Sequence, residues 1–179
     1  MSSQVDPRQE SSTVSRLFLA VWPPPEIQAV LEELPKPTIP GLRWVDPTNW
    51  HVTLRFLGEA DPDAVADRLE RAELPKARAA LGPKVAQLGR GHLVVPVGGL
   101  ERLAASVRDA TAGPARQPDG RPFTGHVTLA RLKSGSIEIA ALFEVAIAAG
   151  FDVCEVALVE SFPLADGARY STLRSWPTV

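Results

Sequence analysis

The run of apolar and polar positions divides the chain into short elements. Ser15 to Trp22 (SRLFLAVW) is largely apolar and closes on Pro23-Pro24-Pro25, which cannot donate to a sheet ladder, so it predicts a buried strand with a hard stop. Ile27, Val30, Leu31 and Leu34 then recur at helical spacing, and prolines are tolerated at a helix start, so a helix is predicted from Glu26 to Leu34. Leu42 to Val45 predicts a brief strand, and His51 to Leu57 a longer one ended by Gly58. Asp61-Pro62 supplies a side-chain oxygen for free amides and a proline for the first helical position, opening a helix through Val65, Leu69 and Ala72 to about Pro75. Lys84–Leu88 and His92–Val97 flank Gly89-Arg90-Gly91 as the arms of a hairpin. Gly98-Gly99 leads into a helix from about Leu100 to Thr111, and Gly113 to Arg121 is a polar loop. A strand over His126–Leu132, a helix from Ser136 to about Ala149, and an antiparallel pair (Val153–Phe162 and Arg169–Trp176) complete the pattern. Hairpins interspersed with helices predict an α+β fold on antiparallel sheet, not a doubly wound parallel one.

One tetrapeptide recurs in this pattern. His-Val-Thr-Leu occupies residues 51–54 and again 126–129, taking two of the three histidines. Each copy precedes a helix-start residue by the same offset, Asp61 lying ten residues after His51 and Ser136 ten after His126. The reading is an internal duplication packed about a pseudo-two-fold axis. Strand alternation puts His51 and Thr53 on one face and Val52, Leu54 and Phe56 on the other; His126 and Thr128 are likewise separated from Val127 and Leu129. By the same rule Arg55 shares the His51 face. Arg131 falls on the core face unless the strand twists, bulges or ends there.

Composition narrows the classes. At 179 residues the chain suits one domain or two small lobes with a shared core; the expected organisation is a flexible tail over 1–14 and a single bilobal domain over 15–179. A formal net charge of −2 gives no general attraction for nucleic acid, so any polyanion needs a local cluster. The single cysteine, Cys154, excludes an intrachain disulfide and a cysteine-built zinc site. There is no signal-like leader and no apolar run near the ~20 residues of a membrane span, so the expected location is the cytoplasm. Neither a glycine-rich dinucleotide loop nor a Gly-Lys-Thr phosphate loop is present.

Two imidazoles and two hydroxyls around one cleft suit phosphodiester hydrolysis. One neutral histidine takes a proton from water and one protonated histidine gives a proton to the leaving oxygen. Threonine hydroxyls donate to the non-bridging oxygens. This scheme requires no metal or cofactor. Zinc is the weaker reading, because a catalytic zinc usually has three protein ligands and neither motif has Cys, Asp or Glu at plus two or plus four. His92 has no threonine at plus two and sits beside a turn, which reads as a structural or solvated histidine.

These residues carry a family resemblance. The chain resembles the two-histidine (2H) phosphoesterases, and within them the RNA 2′,3′-cyclic phosphodiesterases, also called 2′-5′ RNA ligases. The match runs through Arg16-Leu17-Phe18-Leu19-Ala20, Arg43-Trp44-Val45, Trp50 to Glu59, Pro122-Phe123, His126 to Arg131, Glu160-Ser161 and Gly167-Ala168-Arg169-Tyr170. Arg90-Gly91-His92 departs from the family pattern. The resemblance implies two pseudo-symmetric lobes, each an antiparallel sheet with flanking helices, around a central groove. It implies hydrolysis of an RNA 2′,3′-cyclic phosphate end, or of a cyclic nucleotide, to a 2′-phosphate by a monomer, together with reversible 2′-5′ ligation to a 5′-hydroxyl. It makes His51 the proton donor and His126 the proton acceptor, with Thr53, Thr128 and Arg131 on phosphate; Arg55 is a further candidate for the groove. Phe18, Trp44, Trp50 and Tyr170 are candidates to stack a base, each of which also suits the core. The alternatives are action on another RNA 3′ end or small cyclic phosphate, and a non-catalytic protein that binds RNA ends.

Overall fold

The computed structural model describes residues 14–113, 122–132, 140–164 and 167–179. Its strands are β1 (Ser15–Val21), β2 (Leu42–Trp44), β3 (Val52–Ala60), β4 (Ala77–Leu81), β5 (Ala86–Leu88), β6 (His92–Gly98), β7 (His126–Leu132), β8 (Ala149–Val153), β9 (Glu155–Leu164) and β10 (Gly167–Pro177). The α-helices are α1 (Pro25–Glu32), α2 (Pro62–Leu69) and α3 (Glu101–Ala110). Each helix buries an apolar stripe: Ile27 and Leu31 in α1, Val65 and Leu69 in α2, Leu103 and Val107 in α3. Asp61 caps α2 as its sequence implies, its carboxylate accepting from the amides of Asp63 and Ala64.

All the strand pairs are antiparallel, and the strands form one sheet in the order β10-β9-β1-β3-β7-β6-β4-β8. β2 is added to β7, and β5 to β6. The sheet is two four-strand halves joined in the middle. β1 and β3 form the inner pair of one half, β6 and β7 that of the other. The C-terminal hairpin β9–β10 joins the first half, so the halves are interleaved in sequence. Between them β3 and β7 share a single registered pair, Val52↔Val127. Both valines are fully buried in the main core.

Three expectations change. The helix expected to reach Pro75 stops at Leu69. The helix expected from Ser136 to Ala149 begins outside the described residues. Within them the chain has a 3-10 turn over Ala140–Glu144 and then enters β8 at Ala149. β4 and β8 were not predicted. Both alternate short or mixed residues (ARAAL and AGFDV) and lack a strong apolar signal, but their pairing in register from Ala77↔Val153 to Leu81↔Ala149 makes them a sheet edge.

Candidate active site

The Val52↔Val127 pair sets the site. It runs antiparallel, so His51 lies beside Thr128 and Thr53 beside His126. The valines turn into the core, and the two imidazoles and two hydroxyls share the opposite, groove face. All four site residues are half-buried.

Both rings are fixed in the same way. Nδ1 of His51 donates to the Asn49 carbonyl at 2.7 Å, and Nδ1 of His126 donates to the Thr124 carbonyl at 2.7 Å. A carbonyl only accepts, so each Nδ1 carries hydrogen and each Nε2 is left for the groove. Asn49 is placed by a 3-10 turn over Pro47–Asn49, whose cap residue Asp46 accepts from the amide and hydroxyl of Thr48. Before the second motif, Gly125 lies so close to the Val97 carbonyl that a side chain would collide with it. The Val97 amide also donates to the Gly125 carbonyl at 2.8 Å, which holds the start of β7 against β6.

The surroundings of the two histidines differ. His51 is enclosed by aromatic rings: Phe18 at 4.9 Å, Tyr170 at 5.1 Å and Trp22 at 5.5 Å between centroids. Burial, with smaller contributions from the nearby positive charges of His126 and Arg131, pushes its pKa down to about 4 against the pull of the Asn49 carbonyl. On the far side His92 pairs with Arg131 across β6 and β7. Burial, then Arg131 and His126, hold its imidazole below the ordinary range.

A β-bulge follows each motif, at the same residue. The β1–β3 register steps from Ala20↔Thr53 to Leu19↔Arg55, passing over Leu54. The β6–β7 register steps from Val94↔Thr128 to Leu93↔Ala130, passing over Leu129. An extra residue reverses the alternation beyond it. Arg131 thereby moves to the groove face with His126 and Thr128, while Leu129 and Ala130 are both buried in the core. The same shift corrects the expectation for Arg55. It opposes core residue Leu19, is 8% exposed, and donates through Nη1 to the Arg108 carbonyl in the last turn of α3. Phe56, which alternation assigns to the core, is instead 70% exposed on the Phe18 side of the sheet, its ring 6.2 Å from Phe18.

The other aromatics divide. Half-buried Tyr170 packs beside His51, and Phe18 packs against both but is buried. Trp50 is buried in the main core, and Trp44 packs against that core while donating to the Pro37 carbonyl. Sequence reasoning missed Phe56, Trp22 and the proximity of His92. The available signal was positional: Phe56 follows His51 by five residues as Arg131 follows His126. Among the described residues no three His, Cys, Asp or Glu side chains cluster as a metal site requires. No helix there is long and apolar enough to cross a membrane.

The fold is shared with solved structures of LigT. The chain matches the family model described as LigT like Phosphoesterase over residues 21–82. It is similar to Escherichia coli LigT solved in complex with 3′-AMP, with 28% identity and a TM-score of 0.74 over 92% of this chain and 98% of that one. It is similar also to TT0787 of Thermus thermophilus, with 29% identity and a TM-score of 0.70 over 90% of this chain and 97% of that one. The MHV ns2 PDE domain, 15% identical with a TM-score of 0.51 over 82% of this chain and 99% of that one, shares the fold. Comparison with curated proteins gives no sequence match. The chain is similar to the LigT-like phosphoesterases in sequence over residues 21–82 and in fold.

Proposed function

We propose that the protein hydrolyses RNA 2′,3′-cyclic phosphate ends to 2′-phosphates by two-histidine acid–base catalysis. The observation that carries this reading is the Val52↔Val127 pairing, which gathers both His-x-Thr motifs around one point with each Nε2 free. His126 takes a proton from water, which attacks phosphorus. The bond from phosphorus to the 3′ oxygen breaks, and His51 gives that oxygen its proton. Thr53, Thr128 and Arg131 donate to the non-bridging oxygens as their charge grows. With a 5′-hydroxyl in place of water the same step, His126 taking its proton and His51 protonating the departing 3′ oxygen, forms a 2′-5′ linkage, and cleavage of that linkage is the reverse, with the histidines exchanging roles.

In the free protein His51 is held neutral near neutral pH. Its donor role is therefore acquired on binding: a phosphate anion between His51, His126 and Arg131 offsets the cations that depress it. The exposed ring of Phe56 and the half-buried ring of Tyr170, both packed against buried Phe18, offer the terminal base a stacking surface on the His51 side. That E. coli LigT has been solved with 3′-AMP, with NADP+ and with ATP supports a nucleotide site in this groove. The test is incubation with a 2′,3′-cyclic nucleotide and a cyclic-phosphate-ended oligonucleotide, with and without EDTA. Turnover unaffected by EDTA is expected. Absence of turnover would favour a protein that only binds RNA ends, and loss of turnover in EDTA would require a metal in the mechanism.

A further inference from the structure

The bulge at Leu129 has a second effect. With Arg131 turned to the groove face, its neighbours on either side are Arg43 in β2 and His92 in β6. Directly opposed residues on adjacent strands share a face, so Arg43, Arg131 and His92 form a row across three strands beside His126. Like charges directly opposite repel. Some surface cations elsewhere are paired with acids, as in Arg78–Asp152, Lys84–Glu144 and Arg174–Glu70. Among the described residues no ion pair joins any member of this row to an acid. Its two arginines are a local concentration of positive charge on a chain of net charge −2, and His92, held below the ordinary range, adds an imidazole N–H beside them.

The row also exceeds what the reacting phosphate needs. That group already faces two imidazoles, two hydroxyls and Arg131. The guanidinium of Arg43 lies away from that centre, against Gly167 at the start of β10, 3.4 Å from where a side chain there would begin. His92 is at the other end of the row, opposite Leu88 across the β5–β6 turn. On the proposed reading, with the terminal base on the aromatic His51 side and its cyclic phosphate at the centre, the row is the wall left for the 5′ side of the same ribose.

We infer that Arg43, Arg131 and His92 bind a second phosphate, the phosphodiester on the 5′ side of the terminal nucleotide. The protein then favours an oligonucleotide end over a cyclic mononucleotide. This inference rests on the proposed nucleotide site and extends it to the substrate class. Its chemistry is charge-assisted hydrogen bonding to phosphate oxygens, and the bound anion relieves the repulsion within the row.

The experiment compares adenosine 2′,3′-cyclic phosphate with the dinucleotide ApA ending in a 2′,3′-cyclic phosphate. kcat/KM is measured for wild type, His92→Asn and Arg43→Gln, with thermal melting to check folding. In parallel, binding of the two 2′-phosphate products is measured over a range of salt. The expected result is a dinucleotide preference of about tenfold or more that falls toward one in both variants. The salt dependence of dinucleotide binding should exceed that of the mononucleotide by about 0.7 in log–log slope, and this excess should shrink with either variant. A wild type without preference, or variants that keep the full preference while losing activity equally on both substrates, overturns the inference. If neither substrate turns over but the binding preference persists and depends on His92 and Arg43, the row stands and the hydrolytic reading fails.

Discussion

β3 and β7 begin alike and end differently. Both carry His-Val-Thr-Leu, both tie the histidine Nδ1 to a carbonyl two residues upstream, and both bulge at the motif leucine. Beyond the bulge, Arg55 and Ala130 are equivalent and turn inward, while Phe56 and Arg131 are equivalent and turn outward. Their partners correspond as well, Phe18 opposing Phe56 and His92 opposing Arg131. One half of the groove is thus aromatic and the other cationic. The duplicated backbone presents matched His-x-Thr groups, and on the proposed reading the residues five positions on divide base from phosphate. The asymmetry that two identical tetrapeptides cannot supply comes from the walls around them.

The largest effects should follow from removing what the halves share. His51→Ala and His126→Ala should each lower kcat by about 10²–10⁴-fold with unchanged circular dichroism. If either retains near wild-type turnover, the halves are not both catalytic. Arg131→Ala should then cost about 10²-fold in kcat/KM, as loss of a donor to developing charge does. Phe56→Ala, at the equivalent position, should instead weaken nucleotide binding by about 1–3 kcal/mol per stacked base, raising KM more than it lowers kcat. An equal fall in kcat for the two variants would erase the distinction between the walls.

Arg55→Ala tests the inward side. It should leave kcat/KM within about threefold of wild type, while leaving the Arg108 carbonyl without its cation and destabilising the fold by about 1–3 kcal/mol. A large activity loss without a change in melting would return Arg55 to the groove. The smallest signal is electrostatic. The His51 imidazole should titrate near 4 by NMR in the free protein and higher in the presence of a bound phosphate product. Since its folded pKa lies below the ordinary 6.5, the unfolded chain binds the proton first as pH falls. Stability from this group is full above about 6.5 and is lost as pH falls toward 4, and His51→Ala should flatten that slope.

The four central groups were legible because HxT alternation and duplication are local properties of the sequence. Arg131 was legible only conditionally, since alternation alone put it in the core and a bulge was needed to bring it out. The bulge at Leu54 left no such warning, so Arg55 and Phe56 were read on the wrong faces. A one-residue bulge exchanges faces without altering the residue pattern, and only cross-strand register exposes it. His92 read as a turn histidine because its importance lies in what β7 sets opposite it. β4 and β8 were missed for the same reason: their stability comes from each other, across about seventy residues of chain.

The central claim, that the two halves divide proton donation and acceptance around a cyclic phosphate, is tested most directly by the identity of the product. Phosphorus-31 NMR of a 2′,3′-cyclic-phosphate-ended oligonucleotide treated with the protein in EDTA should show conversion to a 2′-phosphomonoester. That is the outcome if His51 protonates the 3′ oxygen. A 3′-phosphomonoester would place the leaving oxygen on the opposite histidine, and an unchanged cyclic phosphate would contradict the account as a whole.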